Sequence, residues 1–287
     1  MPASQRDPCR RTHAERRTSR DGYFSPESVI RRIGNSPITP FLGGGPAVLL
    51  QIAHPLVAAG VTQHSDYRGD LWRRLVRTLR ALYLIAFGTK AEAEQAGEAV
   101  QRVHAQIQGL TQTQLGPYPP GTSYSASDPE LMLWVHATLV EASLTVYDRF
   151  VHPLSPDEEG RYYQEMAVVA RLFGTPASVI PATLAEFRDY FDTQIAGETI
   201  TVTTPAKDVA AVILEAALPA PMRLLVPAHR LATVALLPPR LREEYGLRWS
   251  PLHELALSAA AQSVKLAAAP VLIAASRLAP PRKALAA

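Results

Sequence analysis

Apolar residues recur three and four positions apart through most of this chain, and that periodicity constrains its fold more than any other feature. Side chains at that spacing share one face of an α-helix, whereas a half-buried strand would alternate at every second residue. Leu71, Leu75, Val76, Leu79, Leu82 and Tyr83 form such a stripe and Gly88 stops it, so a helix is predicted over 70–86. Thr89 with Glu92 is a capping-box signature for a helix over 89–108. Asp128-Pro129-Glu130 predicts a long helix to about Phe150 with the aspartate as N-cap, and Ser155-Pro156-Asp157-Glu158 predicts another to about Phe173. Further helices are expected over 181–195, 204–218, 221–236, 238–245 and 252–278. Gly43-Gly44-Gly45-Pro46 reads as a flexible turn opening a helix over 46–60 that Pro55 kinks. Residues 109–127, rich in Gly, Pro, Thr and Ser, read as a loop, and 199–204 as a short strand or extended linker. The fold class that follows is all-α, a single multi-helix globular domain over 23–278, with a basic disordered tail over 1–22 and a flexible C-terminus over 279–287.

Composition narrows the chemistry. Of 287 residues, 47% are hydrophobic, enough for a substantial core. The net charge is only +3, and much of the excess lies in the tail, at Arg6, Arg10, Arg11, Arg16, Arg17 and Arg20. No basic stripe interleaved with aromatic residues follows, so no nucleic-acid partner is expected. Paired arginines at 10–11 and 16–17 resemble the start of an export signal, but the apolar stretch that must follow is missing, and a cytoplasmic location is expected. No strongly apolar run reaches the ~18 residues of a transmembrane helix. The segment 252–278 is broken by Lys265 and Pro270 and reads as a docking helix, with peripheral membrane contact left open. The single cysteine, Cys9, lies in the tail, which excludes an internal disulfide, a cysteine zinc site, an iron–sulfur cluster and thiolate-ligated haem. Any metal must be held by histidine and carboxylate.

The histidines are the candidates. His104 falls on the apolar stripe Val100, Val103, Ile107 and reads either as an axial ligand aimed into the core or as a core histidine bonded to a carbonyl. His136 follows Trp134-Val135 and could ligate, orient a cofactor or pack, and the Trp134 indole N–H could reach a cofactor edge. His54 faces inward. His64-Ser65-Asp66 has the His-x-Asp spacing of a non-haem iron triad, a weak signal on a helical chain. Arg74, Arg77 and Thr78 share one side of a helix, where arginine and a hydroxyl suit a cofactor edge, although Arg73 and Arg80 beside them equally suit a solvated basic face. No Glu-x-x-His, His-Glu-x-x-His, Walker loop, Gly-x-Ser-x-Gly or Gly-x-Gly-x-x-Gly is present, which removes di-iron bundles, zincins, P-loop enzymes, α/β-hydrolases and dinucleotide folds.

Several stretches carry a family resemblance together: Gly-Gly-Gly-Pro-Ala-Val-Leu-Leu-Gln-Ile-Ala-His-Pro over 43–55, Gly-Val-Thr-Gln-His-Ser-Asp over 60–66, Arg74-x-x-x-Thr78, Val103-His104, Ser-Ala-Ser-Asp-Pro-Glu-Leu over 125–131, Trp134-Val135-His136, and Leu-Leu-Pro-Pro-Arg-Leu-Arg-Glu-Glu-Tyr-Gly-Leu over 236–247. They resemble the bacterial oxygenase family grouped with the latex-clearing rubber oxygenases and the fungal mycophenolic-acid-pathway oxygenase MpaB, over roughly residues 24–250. The resemblance implies an all-α fold holding haem b between helices in a globin-like manner. His104 takes the proximal iron position and is the implied metal ligand. Arg74 and Thr78 lie near the haem, with His54, Trp134 and His136 as further cofactor-binding candidates, and Arg74, Arg77, Thr78 and His64 as catalytic candidates. The rubber-cleaving branch can carry a distal lysine where this chain has Arg77, and a guanidinium that keeps its proton is a poor iron ligand, so the distal side is expected to stand open to dioxygen. The implied reaction is oxidative cleavage of a carbon–carbon double bond in an apolar or isoprenoid-like small molecule. Two other readings stay open: a haem-binding sensor, carrier or peroxidase-like protein without oxygenase turnover, and a non-haem iron enzyme using His54, His64 and Asp66. Substrate identity and oligomeric state are not legible.

Overall fold

The computed structural model describes residues 22–64, 71–215 and 226–278, with side chains placed except at 71–74 and 267–278. The expected N-terminal tail, save Gly22, and the expected C-terminal segment lie outside these residues, as does Asp66. Among the described residues the chain forms twelve helices and one two-stranded hairpin, an all-α single domain. The helices are α1 (Val29–Gly34), α2 (Ile38–Ile52), α3 (Pro55–His64), α4 (Leu71–Phe87), α5 (Lys90–Ala105), α6 (Pro129–Phe150), α7 (Pro156–Leu172), α8 (Leu184–Ala196), α9 (Thr204–Glu215), α10 (Val226–Ala235), α11 (Pro239–Glu244) and α12 (Pro251–Leu278).

Capping chemistry sets several of these boundaries where the sequence predicts them. Thr89 and Glu92 form a reciprocal capping box on α5, and Ser155 and Glu158 form another on α7. Asp128 starts α6 by accepting from the Glu130 and Leu131 amides at 2.9 and 3.2 Å. These bonds satisfy amides that have no partner inside their own helix.

The centre of the molecule is α2 lying antiparallel against α6. Gly43 approaches the Ala142 carbonyl at one end, and the Trp134 indole N–H donates to the Gln51 carbonyl at 3.3 Å at the other. Here the structure corrects the expected turn: Gly43-Gly44-Gly45-Pro46 lies inside α2. Helix-interior glycine costs about 1 kcal/mol per residue relative to alanine. Tertiary packing overrides that preference, because a Cβ on Gly45 would stand 2.2 Å from Thr233 Oγ1 of α10. The predicted kinked helix over 46–60 is likewise two helices. α2 ends at Ile52, α3 starts at Pro55, and the two axes meet at 106°. Pro55 at the first position of α3 needs no N–H partner, which is why the break falls there.

Three smaller departures follow from packing. The buried face of α5 is Ala93, Ala96 and Gly97, and Val103 is 56% exposed, so the stripe through Val103 does not face the core. A Cβ on Gly97 would come 2.4 Å from the Leu172 carbonyl oxygen, so α5 is held backbone-to-backbone against the end of α7 and its orientation follows. The expected loop contains β1 (Gln108–Leu110) and β2 (Ser123–Ser125), antiparallel with Gly109 opposite Tyr124. The stretch 199–203 is a linker without strand pairing that leads into α9 at Thr204. The Thr201 amide donates to the Ala53 carbonyl, the Val202 amide to Glu244, and Arg240 donates to the Ile200 carbonyl. α12 docks as expected, burying Leu257 and Ala261 with Val146 and Phe150 of α6. No single described helix is long and apolar enough to cross a membrane.

The glycine contacts make a paired prediction. Gly45→Ala and Gly97→Ala should each destabilise the fold by ~1–3 kcal/mol through overpacking. Gly44→Ala meets only Leu75 Cδ1, at 3.5 Å, and should be neutral or stabilising by ~0.5–1 kcal/mol. Urea midpoints of the three variants test this ordering.

Candidate functional site

A cavity of about 330 Å³ lies where α1, α2, α4, α6 and α7 meet. Its walls are overwhelmingly aliphatic, with Ala47 and Val48 from α2, Leu75, Leu79 and Leu82 from α4, and Leu139 from α6. The polar residues on its lining are few: Thr39, Gln51, Thr78, Tyr83, Ser143 and Tyr162. Burial pushes the Tyr162 hydroxyl well above the usual phenol range, and a hydrogen bond with Ser143 opposes this in part, so Tyr162 stays protonated. Such a space suits an apolar small molecule held by shape, with a handful of polar contacts to orient it.

A second pocket, about 460 Å³, opens beside the C-terminal half of α5. Gln101, Arg102 and His104 of α5, Ser127, Met132 of α6 and the Phe173-Gly174 turn line it. His104 Nδ1 is buried without a hydrogen-bond partner, and burial alone holds the imidazole below its ordinary pKa. His104 is therefore neutral at pH 7, the state in which a ring nitrogen can donate its lone pair to a metal.

The other candidates sit as follows. Thr78 reaches the aliphatic cavity from α4, and Arg77 is exposed. The Arg74 side chain lies outside the described residues. His136 is buried, and neither ring nitrogen has a partner. Burial pulls its pKa down to about 4. Trp134 is a core residue, stacked on Phe191 at 5.7 Å with its N–H directed to Gln51. His64 is exposed and lies 3.1 Å from the Tyr124 hydroxyl, which donates to Gln63 at 2.8 Å, away from the cavity. His54 occupies the bend between α2 and α3. Its Nδ1 accepts from the Leu56 amide at 3.2 Å and its Nε2 faces the Tyr118 hydroxyl at 3.5 Å, on a ring stacked with that tyrosine. His54 thus caps α3, a role normally taken by a short polar side chain. Among the described residues no three His, Cys, Asp or Glu side chains converge in a way that could hold a metal ion.

The structure thus brings Thr78 to the aliphatic cavity and His104 to the neighbouring pocket, without merging the two. Sequence reasoning missed Ser143, Tyr162 and Met166 as cavity residues. Helical spacing puts Leu139 and Ser143 on one stripe of α6, but which neighbour that stripe faces is decided by packing.

An all-α domain around an aliphatic cavity is a scaffold for chemistry on apolar small molecules. The chain belongs to the family described as the ER-bound oxygenase mpaB/B′ and rubber oxygenase catalytic domain, which matches residues 31–266, and it is an oxygenase catalytic domain. Two curated relatives, "Uncharacterized protein Rv2237" of Mycobacterium tuberculosis and "Uncharacterized protein Mb2261" of Mycobacterium bovis, are each 24% identical over 213 residues, covering 72% of this chain and 80% of the relative. No solved structure matches the chain.

The buried histidines set a pH dependence. His54, like His136, has a folded pKa of about 4, with desolvation the largest cause; the field of Asp128 partly opposes it at His54. Above about pH 6.5 both rings are neutral in the folded and unfolded chain. Below it the unfolded chain binds protons that the folded chain refuses until about pH 4, so stability falls as pH drops across that window, at up to ~1.4 kcal/mol per pH unit for each histidine. His54→Asn should keep the cap of α3 and flatten this acid limb by one proton. His54→Leu should flatten it equally but lose ~1 kcal/mol at pH 7. Urea unfolding at pH 7 and pH 5 separates the two.

Proposed function

We propose that this oxygenase domain uses haem b and dioxygen to cleave a carbon–carbon double bond in an isoprenoid-like or comparably apolar small molecule. The observation that carries the reading is the aliphatic cavity of about 330 Å³ inside a domain of the oxygenase family. Its size sits at the lower end of the ~300–1,000 Å³ of ligand pockets, suited to a short alkene rather than a polymer segment of many units.

Two features fit haem. The interior has aliphatic walls suited to a porphyrin face, and neutral imidazole is the one strong iron donor on the α5–α6 side, with the buried, partnerless Nδ1 of His104 as its sign. In this reading His104 holds the iron, with the haem seated in a globin-like way between helices. When bound, haem supplies the site at which dioxygen is reduced. The chain's own part is positioning. Thr78, which reaches the cavity from α4, offers a hydroxyl to the polar edge of the bound group, and the resemblance gives Arg74 and Arg77, four residues and one residue before it in sequence, the same part. The aliphatic walls exclude water and align the alkene by shape. His64, engaged with Tyr124 outside the cavity, has no part in this reading.

Apoprotein mixed with haemin should develop a Soret band, and His104→Ala should weaken haem binding at least tenfold while the helical circular dichroism is retained. Loaded wild-type protein given an isoprenoid alkene should consume dioxygen and release carbonyl products. A folded wild-type protein that develops no Soret band would sink the haem assignment. Loaded protein inert towards a panel of such alkenes would sink the substrate class.

A further inference from the structure

We propose that the outward face of α12 is a lipid-binding surface, which lays this helix in the headgroup–acyl boundary of an anionic phospholipid bilayer. The proposal does not depend on the haem reading, and neither pocket takes part in it.

The first observation is that α12 is apolar on two opposite sides. One side is docked: Leu257 and Ala261 are buried with Val146 and Phe150 of α6. The acidic and basic side chains of this stretch are held against the same neighbour, with Arg149 donating to Glu254 and the Lys265 ammonium donating to the Asp148 carbonyl at 3.2 Å. The other side carries Leu252, Leu255, Ala256, Ala259, Ser263 and Leu266, all exposed. Their spacing puts these six on one narrow stripe, across the helix from Leu257 and Ala261. Leu252, Leu255 and Leu266 are 77%, 68% and 72% exposed. Ser263 donates its hydroxyl to the Ala259 carbonyl at 2.9 Å, so this polar group is already satisfied within the helix and can leave water at little cost. A helix at the surface of a globular domain normally turns polar residues outward, and one that is apolar on both sides has a second contact to make.

The second observation is charge. From Leu255 to Ala287 the sequence holds Lys265, Arg277, Arg282 and Lys283 and no aspartate or glutamate. Between Lys265 and Arg277 it holds no charged residue of either sign. An apolar stripe accompanied by cations alone suits the interface of an anionic bilayer, where leucines enter the acyl boundary and cations meet lipid phosphates. A second copy of the chain would match the apolar stripe but would bring further cations and no acid to balance them. Anionic headgroups supply that missing charge. Because the docked side keeps α12 against α6, the contact runs along the bilayer surface. A domain held there samples the phase in which apolar small molecules concentrate.

The test is flotation of the full chain with vesicles of phosphatidylcholine, alone or mixed with phosphatidylglycerol. Wild type should float with the anionic vesicles, at least about tenfold less with the neutral ones, and less again in high salt. Leu255→Gln combined with Leu266→Gln should lower partition into anionic vesicles by about tenfold or more. Its urea midpoint should match wild type, because both leucines are exposed. Leu255→Trp keeps a large apolar group on the stripe, so it should float like wild type, and its added indole emission should shift to the blue with anionic vesicles. Wild type that stays out of the anionic vesicles overturns the proposal, as does a double variant that floats as well as wild type. An indole at position 255 whose emission ignores the vesicles overturns it too, whether or not the double variant folds. Wild type that is a dimer by light scattering, becomes a monomer with the same double substitution and does not float overturns it and gives the stripe to a second copy.

Discussion

The antiparallel contact between α2 and α6 is what the remaining structure is arranged around. It depends on glycines at the crossing, because a helix whose side chains stop at Cα can bring its backbone within van der Waals reach of a neighbour. Gly43 sits against the Ala142 carbonyl and Gly45 against Thr233 of α10, so α2 is gripped from two sides. The Trp134 bond to Gln51 holds one end of the crossing, and the Tyr245 hydroxyl, donating to the buried Leu49 carbonyl at 2.7 Å, ties the α11–α12 connection to the same helix. With α2 held in this way, Leu139 and Ser143 of α6 face α4 and α7, and an aliphatic cavity is left where those helices do not fully close.

The bend after α2 has a functional consequence. A 106° turn needs its backbone amides satisfied, and His54 does this with a ring nitrogen. The imidazole that looked like a metal ligand in the sequence is occupied in holding the entry to α3. Burial disfavours the charged form of imidazole, so His54, His104 and His136 are all held neutral near pH 7, but the surroundings give them different capacities. His54 faces partners on both nitrogens, whereas His104 has one partnerless nitrogen and His136 two. Bonded partners, rather than burial, mark His54 as a structural histidine.

Much of the architecture was legible in particular residues. Thr89 with Glu92, Asp128, and Ser155 with Glu158 mark helix starts through local hydrogen bonds, so short stretches of sequence contain the whole cause. The glycine run misleads for the opposite reason. Its local preference is for a turn, and the force that makes it helical comes from Ala142 and Thr233, roughly 100 to 190 residues away in the chain. Val103 misleads in the same way, since the orientation of α5 is set by the contact of Gly97 with Leu172 rather than by its own apolar spacing. The hairpin from 108 to 125 was hidden because its strands are three residues each, too short to display an alternating pattern.

The sequence by itself determined the class of the molecule. Helical periodicity with self-contained caps makes an all-α domain, one cysteine outside that domain removes thiolate and iron–sulfur chemistry, and the combined motifs carry the oxygenase family. Each of these depends on residue types or on neighbours within a turn or two. Tertiary structure decided which histidines are spoken for, which faces of α4 and α6 meet across the aliphatic cavity, and that His104 lines a separate pocket beside α5. Those outcomes depend on contacts between distant helices, where close backbone approach and the cost of leaving a buried polar group unpaired outweigh local propensity.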